Sequence, residues 1–540
     1  MTSSTPDSQD TYDYLIVGAG TAGCVLANRL SADPRVRVGL IEAGPSDRRI
    51  TIRIPAAVAL AIGDREIAWG YQSAPQRHLN DRRIPLPRGR VLGGCSSING
   101  MVYYRGHRRD FDEWAESGAT GWSYEEVLPY FLRSEHTEAW PGSPYHGRGG
   151  PMHVSEIPRL NPLIRRFVDA AVSLGYPICE DFCRPEPEGF GPRPATIRNG
   201  RRESMVTAFL DPVRHRPNLE VLLEHLVTRV LIEGRTARGV EVEQGGIRKR
   251  LYARREVIVS AGAYASPQIL MLSGIGDGSA LQALGIEVKH HLPGVGAGLQ
   301  DHPAVGIQMR TRDCTSYGLS LKAMPRVVWN LLEYALFRRG PLGSNLFEAT
   351  GFVRTRPDLD RPDCQLVFMP AHRNPSGFPI PIGHGYGILA IAVRPKSRGR
   401  VSLASPDPHE PPVIDPNYLD APEDLQTLIE GARLARRILA APAFEPLQAH
   451  EILPGPHVQD ERDLVEFIRK TAVTVHHPTS SCRAGVDPMA VVDPQLRVHG
   501  LSGLRVVDAS IFPSVVAGNT QAAVVMVAEK ASDMILSQHK

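Results

Sequence analysis

The chain has 540 residues, which is enough for two or three domains. Its 61 lysines and arginines nearly balance its 58 aspartates and glutamates, so the formal net charge is only +3. The arginine pairs are scattered and no basic run occurs, which argues against a nucleic-acid partner. No apolar run is long enough to cross a bilayer, so no integral membrane segment is expected.

Two further features bear on where the protein works. The segment Met1 to Asp10 is polar and acidic, and it lacks the apolar centre of a secretion signal. The seven cysteines are odd in number and dispersed, unlike a disulfide framework. Cys179 and Cys183 stand among prolines without a second pair of ligands, so no metal site is expected. We therefore expect a cytoplasmic protein.

The segment Tyr12 to Glu42 has the order strand, glycine turn, helix, strand and acid. Gly18, Gly20 and Gly23 follow an apolar run in the spacing G-x-G-x-x-G. The first glycine permits the tight turn, the second lets a pyrophosphate lie against bare backbone, and the third lets the helix pack closely. The helix N-terminus offers free amide groups to the phosphates, and Glu42 is placed to bind a ribose hydroxyl. The pattern predicts a dinucleotide site, with a tight turn in another α/β unit as the alternative.

A second loop rich in glycine and serine runs from Pro87 to Gly100. It offers many backbone and hydroxyl donors to a flat or anionic ligand. The alternative is a plain surface loop. Because the loop leads directly into the apolar run Met101 to Tyr104, we expect it to be partly buried.

The region up to residue 304 alternates between helical and strand patterns. Helical spacing extends over Phe111 to Ser134. The apolar run Val257 to Val259 ends in small residues and predicts a return to a central parallel sheet. Ser266 and Pro267 then predict the start of a helix, because proline is favoured in a first helical turn.

The region from 305 to 475 has a different sequence pattern from the region before it. Short runs separated by prolines, at Gln365 to Met369, Gly387 to Val393 and Arg400 to Leu403, predict an antiparallel sheet. The helices expected to cover this sheet are Pro325 to Phe337, Asp424 to Leu439 and Glu461 to Lys470. The tail returns to α/β character with an apolar helix from Gln521 to Leu536.

The best candidates for chemistry are His476 and His477, which precede Pro478. Adjacent histidines in an extended segment point to opposite sides, so we expect only one of them to face a given site. An imidazole titrates near neutral pH and can accept a proton from an alcohol, although a histidine is more often structural. The amide of Asn519 can donate to an oxygen that gains charge, or it can simply cap the following helix.

Five separated motifs of this chain together resemble the glucose–methanol–choline (GMC) family of FAD-dependent oxidoreductases, and within it the choline-dehydrogenase-like bacterial branch. The motifs are Tyr12 to Glu42, Pro87 to Gly100, Gly262 to Gly276, Val475 to Gly485 and Val507 to Asp533. The resemblance implies an α/β fold, in which an FAD-binding Rossmann-like domain with a parallel sheet joins an α+β substrate-binding domain built on an antiparallel sheet.

The resemblance also implies domain boundaries. We expect residues 1–155 and 216–304 to form the FAD-binding domain, closed by residues 476–540, which carry the active-site residues. Residues 305–475 are expected to form the substrate-binding domain, and residues 156–215 a substrate-domain or crossover segment.

FAD rather than NAD is the implied cofactor, a choice that the glycine pattern alone does not make. The implied reaction is the oxidation of a primary alcohol to an aldehyde by hydride transfer to the flavin, with His477 as the general base and Asn519 at the reacting oxygen. The residues expected to contact FAD are Gly18, Gly20, Thr21, Ala22, Gly23, Glu42, Ala43, Trp69, Arg90, Gly93, Gly94, Ser96, Asn99, Gly100, Met101, Val102, Val227, Ala261, Asp508, Ala509, Asn519, Thr520 and Gln521.

Three departures from the family pattern affect the expected chemistry. Some members attach FAD through a histidine at the position of Ile98, so we expect non-covalent FAD here. Many members have an aromatic residue at the position of His476, and the run Thr479 to Ser481 also differs. Both changes bear on the shape of the substrate pocket, to which we assign His476 together with Glu348. Glu348 matches a glutamate of choline-dehydrogenase-like sequences, where it either faces a cationic substrate or pairs with an arginine.

The identity of the substrate stays open. A small or hydroxymethyl-aromatic alcohol is favoured, with choline as the alternative, and either oxygen or a quinone-type molecule could reoxidise the flavin. Family relatives that act as hydroxynitrile lyases or flavin photodecarboxylases supply alternatives of another class. A flavin-free binding protein is disfavoured by the intact glycine motifs. Oligomeric state cannot be read from the sequence.

Overall fold

The computed structural model describes residues 10–371 and 382–539. The polar N-terminal segment, on which the expectation about secretion rests, lies outside the described residues except for Asp10. Within the described residues, no helix combines the length and the apolar character that crossing a bilayer requires.

The first of two large sheets has seven strands and a largely parallel centre. Thr11–Val17 pairs in parallel with Val38–Ile41 on one side and with Ile247–Val259 on the other. The seven strands of this first sheet are Thr11–Val17, Val38–Ile41, Leu219–Leu222, Leu226–Glu233, Thr236–Gln244, Ile247–Val259 and Leu504–Val506. The expected return of Val257 to Val259 to this sheet is confirmed, because these residues pair with both Thr11–Val17 and Leu504–Val506.

The second large sheet is antiparallel and also has seven strands. The long strand Pro303–Thr311 pairs with His384–Ala392 from Ala304 to Thr311, and with Val473–Thr474 at its beginning. The strands are Gly189–Pro192, Pro303–Thr311, Ala349–Val353, Cys364–Met369, His384–Ala392, His450–Leu453 and Val473–Thr474. The predicted combination of a parallel-sheet domain with an antiparallel-sheet domain is therefore confirmed. The domain boundaries stay predictions.

Helices cover both sheets. The helix Thr21–Leu30 buries eight of its ten residues beneath the first sheet and contacts the C-terminal helix Gln521–Gln538. Pro422–Leu439 packs on the antiparallel sheet. The remaining α-helices are Ile50–Arg53, Val58–Gly63, Arg108–Glu116, Tyr124–Ser134, Pro162–Ser173, Gly262–Leu272, Gly278–Ala283, Met324–Phe337 and Glu461–Thr471.

Three local expectations were wrong. The helical pattern over Phe111 to Ser134 forms two helices, because Gly118 and Gly121 adopt positive φ angles of 104° and 88° between them. The run Arg400 to Leu403 lies in a separate three-stranded sheet.

The third concerns Pro267, which lies inside a helix that begins at Gly262 rather than in its first turn. A proline at this position leaves the carbonyl of Ala263 without its helical donor. The hydroxyl of Ser481 donates to that carbonyl at 2.5 Å. The helix therefore continues through the proline because a distant side chain replaces the missing hydrogen bond.

Candidate active site

The glycine turn leaves open space where a pyrophosphate is expected. Gly18 has a φ of 98°, and a Cβ there would lie 2.6 Å from the carbonyl oxygen of Ser260. A Cβ on Gly23 would lie 2.0 Å from the carbonyl oxygen of Gly18, so the helix can approach the strand only at a glycine. By contrast, a Cβ on Gly20 would meet no atom within 4 Å. The bare surface at Gly20 therefore suits a ligand that lies against the backbone.

Glu42 ends the neighbouring strand and lies against this turn. Its carboxylate accepts hydrogen bonds from the backbone amides of Ala19 at 3.0 Å and Gly44 at 2.9 Å. Burial raises the pKa of Glu42 to about 7, although the two amides oppose the rise. The acid is thus beside the turn, as a ribose-binding role requires.

The second glycine-rich loop packs directly on the first. A Cβ on Gly94 would lie 2.8 Å from the Cα of Gly20, so the two loops touch backbone to backbone. The hydroxyl of Ser96 donates to the carbonyl of Gly93 at 2.6 Å and accepts from the amide of Met205 at 3.0 Å. The amide of Gly93 donates to the carbonyl of Ala19 at 2.8 Å, which holds the loop against the dinucleotide turn.

Asn99 and Gln521 meet above this loop, although 422 positions separate them in the sequence. The amide of Asn99 donates to the side-chain oxygen of Gln521, and Arg202 donates to the side-chain oxygen of Asn99 at 2.9 Å. In the described part of the chain, the buried side-chain nitrogen of Gln521 has no hydrogen-bond partner. A buried donor of this kind, beside two glycine loops, fits a bound FAD.

The other residues predicted to contact FAD are spread over several chain segments. Trp69 stacks on Tyr71 at 5.7 Å between ring centroids, and the Arg90 guanidinium lies 5.6 Å from the Trp69 ring. Asp508 accepts from the amides of Gly262 and Ser510 at 2.8 and 2.7 Å, so it joins two loop ends. The remaining residues are Thr21 and Ala22 at the start of Thr21–Leu30, Ala43 just after Val38–Ile41, Gly100, Met101 and Val102 at and just after the end of the second glycine-rich loop, Val227 in Leu226–Glu233, Ala261 just before Gly262–Leu272, Ala509 in the turn after Asp508, and Thr520 just before Gln521–Gln538.

His477 lies between two hydrogen-bonding side chains. Its Nε2 is 2.9 Å from the amide nitrogen of Asn519, and its Nδ1 is 3.0 Å from Nδ1 of His302. An amide NH2 can only donate, so Nε2 of His477 is the acceptor and its proton is on Nδ1. That proton is donated to His302. The neighbouring ring therefore fixes His477 in the tautomer whose Nε2 can accept a proton.

Both histidines are neutral at ordinary pH. Burial, together with the nearby His302, His476 and Arg88, lowers the pKa of His477 well below its usual range. Burial also lowers the pKa of His302 to about 3. An uncharged His477 can act as a base without first losing a proton to solvent.

Asp301 fixes the backbone on which the two histidines stand. One of its oxygens accepts from the amides of His477 at 2.7 Å and His302 at 2.9 Å. The other accepts from the hydroxyls of Tyr418 and Thr474, both at 2.6 Å. Four donors to one buried carboxylate leave His477 little freedom to move.

His476 does not behave as predicted. It adopts a positive φ of 67° rather than an extended conformation. Both His476 and His477 consequently line the same cavity, so the expectation that only one could face the site was wrong. The guanidinium of Arg88 donates to the carbonyl of His476 at 2.7 Å and helps to hold this turn.

The cavity beside the histidines has a volume of about 850 Å³. Asn519, Gly100 and Val102 also line it, which brings predicted cofactor and catalytic residues to one space. Much of the remaining wall is apolar and includes Phe347, Val367 and Leu389. The ionisable groups that line it, within the described residues, are the two histidines, Tyr317 and the arginines 159, 193 and 326, and no carboxylate is among them.

Glu348 is not among the residues that line this cavity, so the structure does not support the first of its two alternatives, contact with a cationic substrate. Its carboxylate accepts from the amide of Asn161 at 2.7 Å and from the hydroxyls of Ser344 and Tyr317 at 2.7 and 2.9 Å. Burial raises the pKa of Glu348, and these three donors oppose the rise. The carboxylate therefore joins three chain segments within the protein interior.

Three residues near His477 were missed from the sequence, namely Asp301, His302 and Arg88. A signal did exist, because Asp301-His302-Pro303 repeats the His-Pro pair of His477-Pro478. The antiparallel pairing of Pro303 with Thr474 brings these two segments side by side. That pairing explains why the two imidazoles meet.

A separate cluster of possible metal ligands does not belong to this site. Ligand atoms of His146, Asp181 and Cys183 lie within 4.8 Å of one another. The ring of His146 bridges Glu135 at 2.9 Å and Asp181 at 3.1 Å, and Arg105 pairs with Glu135. Although burial opposes it, the hydrogen bonds to the two carboxylates raise the pKa of His146. The two carboxylates are thus paired with the Arg105 guanidinium and the His146 ring within the protein.

Comparisons with known proteins agree with this geometry. The family models described as GMC oxidoreductase match residues 12–304 and 395–528. The chain is 44% identical to an alcohol dehydrogenase [acceptor] of Pseudomonas putida, over 97% of this chain and 96% of that protein. It is 42% identical to an oxygen-dependent choline dehydrogenase of Brucella canis, again over 97% and 96% of the two chains.

Among solved structures, pyridoxine 4-oxidase from Mesorbium loti superposes with a TM-score of 0.88 at 33% identity, over 98% of this chain and 99% of that one. GMC oxidoreductases bind FAD, which agrees with the two facing glycine loops. The chain belongs to the GMC oxidoreductase family.

Proposed function

We propose that this protein oxidises a primary alcohol to an aldehyde with FAD, and that His477 is the general base. The observation that carries the proposal is the row His302–His477–Asn519, with contacts of 3.0 and 2.9 Å, on the wall of a largely apolar cavity. The alcohol dehydrogenase and choline dehydrogenase relatives support the reaction class.

The proposed roles follow from the orientation of each group. The alcohol hydroxyl replaces the amide of Asn519 as the donor to Nε2 of His477, which then accepts its proton. The amide of Asn519 is released to hold the substrate oxygen as charge develops on it. His302 acts as a positioning residue, because it keeps the proton of His477 on Nδ1. Asp301 holds the main chain of both histidines in place.

FAD would be held by the two glycine loops, by Glu42 and by the segment around Gln521. When bound, it supplies the acceptor for the hydride equivalent that leaves the carbinol carbon. We infer that attachment is non-covalent, because Ile98 has no nucleophilic atom and packs in an apolar cluster with Ile52 and Val91.

The cavity wall favours a neutral alcohol, either small or hydroxymethyl-aromatic. Choline is the second candidate, supported by the choline dehydrogenases at 42% identity. Against choline, the described wall contains three arginines and no carboxylate, and Glu348 is bonded elsewhere. A quaternary ammonium group would meet like charge there rather than a counter-ion.

The electron acceptor is proposed to be oxygen or a quinone-type molecule. We also propose a cytoplasmic location, which the seven free cysteines support. A hydroxynitrile lyase and a photodecarboxylase, the non-oxidase alternatives, both predict that an alcohol leaves the flavin oxidised in the dark.

The test is anaerobic stopped-flow absorbance of the flavin, in the dark, with a panel of alcohols. In His477→Ala we expect bound yellow FAD but flavin reduction slower by about 10²- to 10⁴-fold. The matched control is His476→Ala, which removes the adjacent imidazole from the same cavity and should have a much smaller effect. Near-normal reduction in His477→Ala would remove His477 from its role.

A further inference from the structure

The helix Met324–Phe337, here called the border helix, presents an apolar surface to solvent. Trp329 is 58% exposed, Leu332 51%, Leu336 71% and Phe337 62%, and the preceding Leu321 is 93% exposed. Together with Val328, these residues are called the outer face. Large apolar side chains occur singly on most surfaces, but a contiguous group of them marks an interaction site.

The outer face is not what attaches the border helix to the protein. Tyr334 is the only buried residue of this helix, and its hydroxyl donates to the carbonyl of Gly200 at 2.9 Å. Val327 and Asn330 line the substrate cavity, on the inner side. Leu331 lines the cavity and is also 52% exposed, so the cavity opens to the outside beside this helix.

Apolar residues continue around the opening on other segments. Leu60, on the short helix Val58–Gly63, is 47% exposed, while its neighbours Val58 and Ala59 line the cavity. Ile382 is 83% exposed and pairs with Leu319, which also lines the cavity. The opening is therefore bordered by exposed apolar side chains from three separate segments.

The charges near the border helix are mostly positive. Lys322, Arg338 and Arg339 are exposed at its two ends, and Arg326 lies in its first turn. The acidic residue of the helix, Glu333, has only 16% of its side chain exposed and pairs with Arg159 at 3.2 Å. The surroundings of the outer face therefore favour a negatively charged partner.

We propose that the outer face docks this enzyme on an anionic lipid surface, with the opening of the substrate cavity towards the bilayer. A helix that lies in the membrane interface combines an apolar face, a tryptophan and flanking basic residues, as this one does. A second copy of the chain is a poorer occupant, because two faces surrounded by cations would repel each other. Docking itself does not depend on the proposed reaction.

Such docking has a consequence for the chemistry. An apolar alcohol or a quinone-type acceptor dissolved in the bilayer would reach the cavity without passing through water. The surface therefore links the cavity to molecules that partition into lipid.

The test is flotation of the purified flavoprotein with vesicles of phosphatidylcholine, with or without about 30% phosphatidylglycerol. We expect binding to the anionic vesicles that weakens as salt is added. Replacing Trp329, Leu332 and Leu336 by Gln should lower the partition coefficient at least about tenfold. Lys322→Gln with Arg339→Gln should lower it on the order of tenfold, and only on anionic vesicles.

Two control variants distinguish binding through the outer face from non-specific adsorption of the protein to vesicles. Val172, Ile247 and Val486 are also exposed, at 43%, 75% and 69%, and their replacement by Gln should leave binding unchanged. Exchanging Arg148 and Arg250 for Gln controls for the loss of two exposed cations. Melting temperature and flavin content, followed in every variant, should match the parent protein because all of these side chains are exposed.

Three outcomes would overturn the proposal. The first is the absence of flotation with anionic vesicles, and the second is unchanged flotation of the triple apolar variant. The third is a concentration-dependent dimer in sedimentation that the triple variant abolishes, which would assign the outer face to a second copy of the chain.

Discussion

The sharpest prediction concerns His302, whose Nδ1 lies 3.0 Å from Nδ1 of His477 and holds the tautomer of that ring. His302→Leu removes the acceptor that lies 3.0 Å from Nδ1 of His477. The Nδ1 proton of His477 would then be buried without a partner, at a cost of about 1–3 kcal/mol. If that cost appears in the transition state, flavin reduction slows by about 5- to 150-fold.

The assay is the rate constant of anaerobic flavin reduction at saturating alcohol, with the binding of FAD measured in parallel. We expect FAD affinity and the KM for the alcohol to change little, because His302 lines neither the cavity nor the glycine loops. His302→Gln keeps an acceptor oxygen in place of Nδ1 and should recover part of the rate. If His302 has only a structural role, both variants should instead have a lower melting temperature, and His302→Gln should not reduce its flavin faster than His302→Leu.

A double-mutant cycle tests whether His302 acts through His477. If His302 acts only through His477, its replacement should have little further effect in the His477→Ala background. Equal slowing in both backgrounds, or a His302→Leu enzyme that reduces its flavin at the wild-type rate, would refute the positioning role.

Four further outcomes are expected. As the pH is lowered from neutral, the rate of flavin reduction should stay constant past pH 6.5, the usual pKa of histidine. It should fall only when the pH reaches the lowered pKa of His477. A rate that already declines above pH 6.5 would contradict this. Guanidinium denaturation should release all of the flavin into a filtrate, and flavin fluorescence left on the protein would show a covalent bond. Gly20→Ala should fold normally yet bind FAD at least about tenfold more weakly, whereas Gly23→Ala should lose about 1–3 kcal/mol or more of stability, seen in thermal melts. Glu348→Gln should destabilise the fold by about 1–3 kcal/mol without a selective rise in the KM for choline, which steady-state kinetics and melts can separate.

The parts of the fold that were predictable depend on local constraints. The glycine turn requires particular backbone angles at Gly18 and close packing at Gly23, and both requirements act on neighbouring residues. Periodicity likewise identified the strands Cys364–Met369 and His384–Ala392 of the antiparallel sheet and the helix Pro422–Leu439 that covers it. These patterns are readable in the sequence because they reflect interactions between residues only a few positions apart.

What could not be predicted depends on contacts between distant residues. His302 meets His477 across 175 positions, and Glu348 is turned inward by the amide of Asn161 across 187 positions. The left-handed backbone at His476 is held by Arg88, from a different motif. The first contact depends on the pairing of Pro303 with Thr474, a strand register that the sequence alone does not align. The other two depend on tertiary contacts between loops and turns.

The same distant contacts explain why the histidine segment is rigid. Asp301 joins that segment to Tyr418 and Thr474 of the region expected to form the substrate-binding domain, while Arg88 joins it to the predicted flavin loop. The position of Nε2 of His477 is therefore set by contacts from several distant segments before a substrate enters. A base held in this way can be aligned with an alcohol at little entropic cost during the reaction. The fixed main chain, rather than the identity of one imidazole alone, is what makes the proposed proton transfer plausible in this cavity.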